Sequence, residues 1–443
     1  MSEKNARYEE ITRKYGDPWI WGIYLTLVLI SIVESYSAAS REVAKLGVYM
    51  PVIKQCMFLG VGGLGVFFLS KVNYNNKILM AGMIHILLIF TVFCLVYVLF
   101  FGDMINGAQR AIKLPGFTLQ PAELAKLSVV TILAFIYAKN QTNMDVSWAG
   151  IWASIVVIAI FGGLLIQSGL TNTLLLMSIS ASMMWIGGTS FKKIGILVVF
   201  FAIIFGIFAY LKVQNDNKEQ ILTEASAELQ EGAVTEDLGE SGSRLRDATW
   251  RSRVQAWLES DKLVYQNITN KNQQEMFSRI AQAHGGLHGV WFGNSRECSR
   301  LPLAFSDYIY SIIVEETGLI GGILVMFLYL ALLARSMMIV KMRSHRALPS
   351  LLLIGLAFMI VFQALFHMAI NTGVFPVSGQ PLPLISMGGS SIIVISVAFG
   401  VMLSVSRTLV NNDNPTARAK AALTQEEKSA KEKVKQSMKN EWK

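Results

Sequence analysis

Charge is scarce in this chain. Of 443 residues only 16% are Asp, Glu, Lys or Arg, whereas an ordinary soluble domain carries about 25%. Cysteine is scarcer: Cys56, Cys94 and Cys298 are the only three. Two of them sit in apolar runs, so no disulfide framework is implied. No glycine-rich phosphate loop follows a strand-like segment, and no His/Cys cluster has metal-ligand spacing. Nothing therefore points to a nucleotide-driven machine or a zinc module. Apolar residues are abundant instead, at 53%, with mean hydropathy +0.46.

The apolar residues fall in blocks too long for soluble core helices. A bilayer core needs about 20 apolar residues per helix. About ten blocks qualify: Trp19–Ala38, Val48–Leu69, Ile78–Phe101, Ala122–Ala138, Trp148–Ile166, Leu170–Ile186, Ile194–Leu211, Tyr308–Leu333, Leu351–Asn371 and Leu384–Val405. The fourth and sixth are short. None alternates in and out as a barrel strand would. A helix satisfies its own backbone in lipid, so the predicted fold is all-α: a polytopic membrane helical bundle. The first block is not a cleavable leader. It is long, follows a charged stretch, and leads through Tyr36-Ser37-Ala38-Ala39-Ser40 into further membrane segments.

The net charge of +9 belongs to loops and tails, not to a nucleic-acid surface. With an even number of spans both termini share one side. Short loops on that side carry nine cations: Lys71, Lys77, Lys139, Lys192, Lys193, Arg335, Lys341, Arg343 and Arg346. Short loops opposite carry four: Arg41, Lys45, Arg110 and Lys113. The excess predicts both termini in the cytoplasm. Residues 1–18 are then a cytoplasmic segment, 19–211 hold spans one to seven, and 212–306 form a large extracytoplasmic loop. Spans eight to ten occupy 307–410, and 411–443 is a charged cytoplasmic tail. The loop opens acidic and becomes aromatic, basic and glycine-rich from Trp250 to Gly289.

Ionisable groups at membrane depth are costly, so they pair or face a polar cavity. Glu123 and Lys126 stand i, i+3 at the start of the fourth span, placed for an ion pair of structural or functional use. Glu34 reads as a polar packing contact. Asp307, at the mouth of the eighth span, could simply cap that helix. Residues 307, 311 and 315 share a helical face, which would turn Glu315 into the cavity of Asp307. Glu316 points elsewhere, toward a helix–helix hydrogen bond. His367 and Asn371, i and i+4, form a polar stripe, with His367 read as a satisfied core histidine. Pro376 to Pro383 cannot be regular helix, and Ser386-Met387-Gly388-Gly389-Ser390-Ser391 follows it. Such backbone either lines a cavity or makes a tight packing turn.

Three stretches resemble the SEDS family (FtsW, RodA, SpoVE). They are Asn106 to Ile112 with Leu119-Gln120-Pro121-Ala122-Glu123-Leu124-Ala125-Lys126-Leu127, then Gly285 to Gly318, then Pro376 to Ser391. Order, spacing and span count agree over nearly the whole chain. Gly293-Asn294-Ser295 resembles the FtsW branch. There are departures. Gln109 and Ala111 replace the usual arginine and tryptophan, Phe305-Ser306 replaces His-Thr, and Met387 replaces tyrosine. Near Gln167-Ser168-Gly169-Leu170 the family's acid is missing, so no role is carried over for it.

The resemblance implies a peptidoglycan glycosyltransferase of the inner membrane, polymerising lipid II at the division septum. It implies Asp307 as general base, with undecaprenyl pyrophosphate as the leaving group. Arg110 and Lys126 would meet the pyrophosphate charge, Glu123 would orient Lys126, and Ser378, Gly379, Ser386, Gly388, Gly389 and Ser390 would shape the substrate cavity. A divalent ion (Mg2+ or Mn2+) is compatible with a pyrophosphate leaving group, but no ligand set is visible. The implied partners are a class B penicillin-binding protein transpeptidase and other divisome membrane proteins, with no nucleic acid. Two rival readings stay open, a lipid II flippase and a non-catalytic scaffold. A generic secondary transporter would be expected to show paired broken helices, and only the region after the ninth span looks broken.

Overall fold

The computed structural model describes residues 3–38, 49–72, 77–105, 108–114, 117–142, 145–166, 169–196, 257, 268, 272–301, 304–343 and 347–412. In chain order the helices are α1 (Glu3–Tyr15), α2 (Pro18–Ser37), α3 (Met50–Lys71) and α4 (Lys77–Phe101). After a small sheet come α5 (Pro121–Asn140), α6 (Trp148–Ile166), α7 (Leu170–Ile186), α8 (Gln273–Gly285), α9 (Ile309–Arg343), α10 (Ala347–Asn371) and α11 (Ser390–Asn412). Among the described residues eight helices are long and apolar enough to cross a membrane, and Thr171–Ile186 in α7 is a shorter apolar one. The expected span Ile194–Leu211 lies almost wholly outside the described residues, as does most of the loop from Lys212 onward.

Burial sorts the helices by position. The apolar windows of α5, α10 and α11 are 78%, 72% and 83% buried, against 22% for α3 and α4. The first three therefore make the centre, and the outer helices present Phe67, Phe68, Ile86, Phe93 and Phe100 outward. An outward apolar face is the expected solution when lipid, not water, is the solvent.

α2 runs between the two faces of the bundle. Its start is capped by Asp17, whose carboxylate accepts from the Trp19 N–H at 2.9 Å and the Ile20 N–H at 3.3 Å. The same carboxylate pairs with Arg335 at 2.8 Å, and the Asp17 N–H donates to Ser406 Oγ. Tyr8 of α1 bonds Asp17 too, and burial together with that carboxylate pushes its hydroxyl up to about 12. Residues 1–18 therefore carry a helix seated on α9 and α11. At the other end of α2, Ser37 donates to Glu316. That end is the face where the candidate site gathers.

Two features were not legible beforehand. An antiparallel meander, β1 (Asp103–Ile105), β2 (Ala108–Leu114) and β3 (Phe117–Leu119), joins α4 to α5. Along β2, Ala111 is buried, Ile112 half-buried and Lys113 exposed. The eighth span is also broken: α9 has φ 74°, ψ −178° at Gly318. A Cβ there would lie 2.3 Å from the Leu287 carbonyl oxygen, so only glycine lets residues 287–289 seat in the break.

Candidate functional site

Asp307 is half-buried and precedes α9 by two residues. Its Oδ1 accepts from Ser306 Oγ at 2.9 Å. Opposite it lies the turn 378–380, closed by a bond from the Gln380 N–H to the Ser378 carbonyl at 3.0 Å. A Cβ built on Gly379 would sit 2.9 Å from Asp307 Oδ2. Glycine therefore keeps the space beside the carboxylate free of a side chain.

The Pro376–Ser391 stretch is stitched to the segment before α9. Ser386 Oγ donates to the Ser306 carbonyl and accepts from the Leu382 N–H, both at 2.7 Å. The Met387 N–H donates to the Phe305 carbonyl at 3.0 Å. Tyr329 bonds the Pro383 carbonyl at 2.6 Å, and Ser390 Oγ accepts from the Gln120 N–H at 3.1 Å. Ser378, Ser386 and Ser390 are buried, whereas Gly379, Met387, Gly388 and Gly389 are half-buried; of the glycines, Gly379 faces Asp307 and Gly389 faces Phe58. The expected cavity residues thus divide. The glycines form accessible backbone, while the Ser386 and Ser390 hydroxyls hold it in place. Ser378 Oγ and Gln380 Oε1 are buried without a hydrogen-bond partner.

Glu123 and Lys126 do form the ion pair, at 2.7 Å, with side chains 2% and 1% exposed. Lys126 also donates to Gln363 Oε1 at 2.8 Å, and Gln363 Nε2 donates to the Pro381 carbonyl at 3.2 Å. The pair therefore lies beneath the loop and reaches it through Gln363. Sequence reasoning missed this glutamine. Its signal was an amide amid the apolar residues of α10, which at membrane depth demands a partner. Arg110 lies on β2 by its backbone; its side chain is outside the described residues.

One expectation at the start of α9 comes out differently. Glu315 does not turn toward Asp307. It accepts from Ser295 Oγ at 2.5 Å and the Arg296 N–H at 3.0 Å, holding the turn before Glu297–Ser299. The helix starts at Ile309, so its periodicity does not extend back to Asp307. Glu316 reaches across to Ser37 on α2, the helix–helix contact expected of it. The Ser311 N–H near the helix start is taken by Asn371 Oδ1 at 3.3 Å, from another helix. His367 is fully buried and bonds the Gln380 carbonyl through Nδ1 at 2.6 Å. Among the described residues no group of three or more His, Cys, Asp or Glu side chains forms a metal-ligand set.

A family described as cell cycle protein, covering FtsW, RodA and SpoVE, matches residues 18–411. A probable peptidoglycan glycosyltransferase FtsW of Trichlorobacter lovleyi is 30% identical over 87% of this chain and 91% of its own length. The stage V sporulation protein E of Bacillus subtilis is 26% identical over 90% of this chain and 99% of its own. Among solved structures, a chain of a peptidoglycan synthase complex superposes with a TM-score of 0.64 at 22% identity. The match covers 89% of this chain and 98% of that one. The rod shape determining protein RodA of Thermus thermophilus gives 0.58 at 22% identity, over 88% and 97%.

Proposed function

Because the chain belongs to the family of cell cycle proteins that comprises FtsW, RodA and SpoVE, we propose that it is a peptidoglycan glycosyltransferase polymerising lipid II during septal wall synthesis, with Asp307 as its general base. The observation that carries the reading is the placement of the Asp307 carboxylate, half-buried and facing a glycine turn that leaves room for a substrate hydroxyl. In this reading Asp307 takes the proton from the 4-hydroxyl of the acceptor GlcNAc. The oxygen attacks the anomeric carbon of the lipid-linked donor, and the carbon–oxygen bond to pyrophosphate breaks. Undecaprenyl pyrophosphate leaves with the electron pair. A positioned base of this kind typically contributes about 10²–10⁴-fold.

Arg110, on the meander, supplies positive charge toward the departing pyrophosphate. Lys126 acts from beneath the loop, oriented by Glu123 and linked to Pro381 through Gln363. The accessible backbone at Gly379, Gly388 and Gly389 permits close approach of a ligand. The site lies on the face opposite α1, which the excess of short-loop cations assigns to the outer side of the cell inner membrane, with both termini cytoplasmic. A class B penicillin-binding protein is the proposed partner that crosslinks the emerging strand.

The purified full-length chain supplied with fluorescent lipid II tests this. Glycan strands of several units are expected. Movement of lipid II between leaflets without any polymer would replace the reading with a flippase.

A further inference from the structure

We infer that Asn371 and His367, one turn apart on α10, are positioning residues that hold Asp307 at a set distance from the 378–380 turn; the inference rests on the polymerase reading above. Every polar atom of the Asn371 amide is engaged. Nδ2 donates to the Asp307 carbonyl at 3.1 Å and to the His367 carbonyl at 3.0 Å. Oδ1 accepts from the Ser311 N–H at 3.3 Å and from Ser311 Oγ at 3.0 Å. Reversing the amide would set an oxygen against two carbonyls and an NH2 against an N–H, so the orientation is fixed by its neighbours.

His367 completes the brace. Its Nδ1 lies 2.6 Å from the Gln380 carbonyl, which requires the hydrogen on Nδ1 and leaves the Nε2 lone pair 3.3 Å from Asn371 Nδ2. One end of this two-residue link therefore grips the peptide of Asp307. The other grips the peptide of Gln380, and between the two grips Gly379 faces the Asp307 carboxylate. Asn371 is held in turn from the large loop: its own carbonyl accepts from Ser278 Oγ at 3.0 Å and Gln282 Nε2 at 2.7 Å. Asn371 is 2% exposed and His367 fully buried, so neither is placed to touch substrate. They act through the base and the turn.

The test uses the purified full-length chain and lipid II titrations. Displacing a catalytic group by about 1 Å can cost about 100-fold, so Asn371→Ala and Asn371→Asp should each lower kcat by roughly that factor with KM within about twofold. Lipid II binding should stay near wild type, while the thermal midpoint falls in both variants because buried groups lose their partners, so kcat is read per folded molecule. Asn371→Asp keeps the acceptor for Ser311 and loses the donor to the Asp307 carbonyl. It also carries the test if Asn371→Ala does not accumulate. His367→Gln, whose amide can still donate to the Gln380 carbonyl, should recover part of the kcat lost in His367→Ala. Wild-type kcat in Asn371→Asp, or a loss confined to KM, overturns the inference. Asp307→Asn run alongside separates the failures. If that variant polymerises, the base assignment falls. If it is inactive while the Asn371 and His367 variants are normal, only the brace falls.

Discussion

At Gly379 a single methyl group is informative. An alanine Cβ would meet Asp307 Oδ2 at 2.9 Å, closer than ordinary contacts. Gly379→Ala should therefore push the carboxylate aside and cut turnover about tenfold or more, with the bundle intact; steady-state polymerisation beside a melting curve checks both. Lys126 illustrates a different physics. Its pair with Glu123 is 1–2% exposed, and removing one partner of a buried pair strands the other charge. Lys126→Ala should cost about 3–5 kcal/mol of stability and most of the activity. Unfolding and polymerisation assays on Lys126→Ala and on a Lys126→Met, Glu123→Gln double variant check this, the double variant regaining stability but not turnover. The ion pair could be read from an i, i+3 spacing. Gln363 could not be assigned to it, because it lies 237 positions from Lys126 and long-range partners leave no local signal.

Among elements, the break in α9 is what seats residues 287–289. Gly318 adopts φ 74°, and its Cα lies against the Leu287 backbone. Gly318→Ala should lose at least about 2 kcal/mol from the forbidden backbone region alone. A lowered thermal midpoint checks it, and an unchanged one would mean that residues 287–289 do not seat there. The span was legible because lipid demands a continuous apolar run, but the break was not, since one glycine in an apolar helix has an ordinary packing use as well. The meander was hidden for a different reason: β1 and β3 have three residues each, and Ala108 to Leu114 shows no regular apolar–polar alternation. The brace residues were visible as a polar stripe, yet only the fold reveals which peptides they hold.

At the scale of the molecule, among the described residues, the polar cluster around Asp17 and Arg335 lies on the face opposite the one around Asp307. Asp17→Ala removes the cap of α2 and the partner of Arg335, so it should cost about 1–3 kcal/mol. Remote from the site, it should leave kcat per folded molecule unchanged, which a thermal melt and a polymerisation assay at low temperature would show together. Membrane span and family were legible because solvent and motif write themselves into composition and spacing. The geometry around Asp307 was not, because it is assembled from the start of α9, from α10 and from the loop before α11. The most direct test of that assembly is lipid II polymerisation by purified Asp307→Asn, with lipid II binding measured on the same sample. The account predicts retained binding and no glycan product; glycan strands formed at the wild-type rate would contradict it.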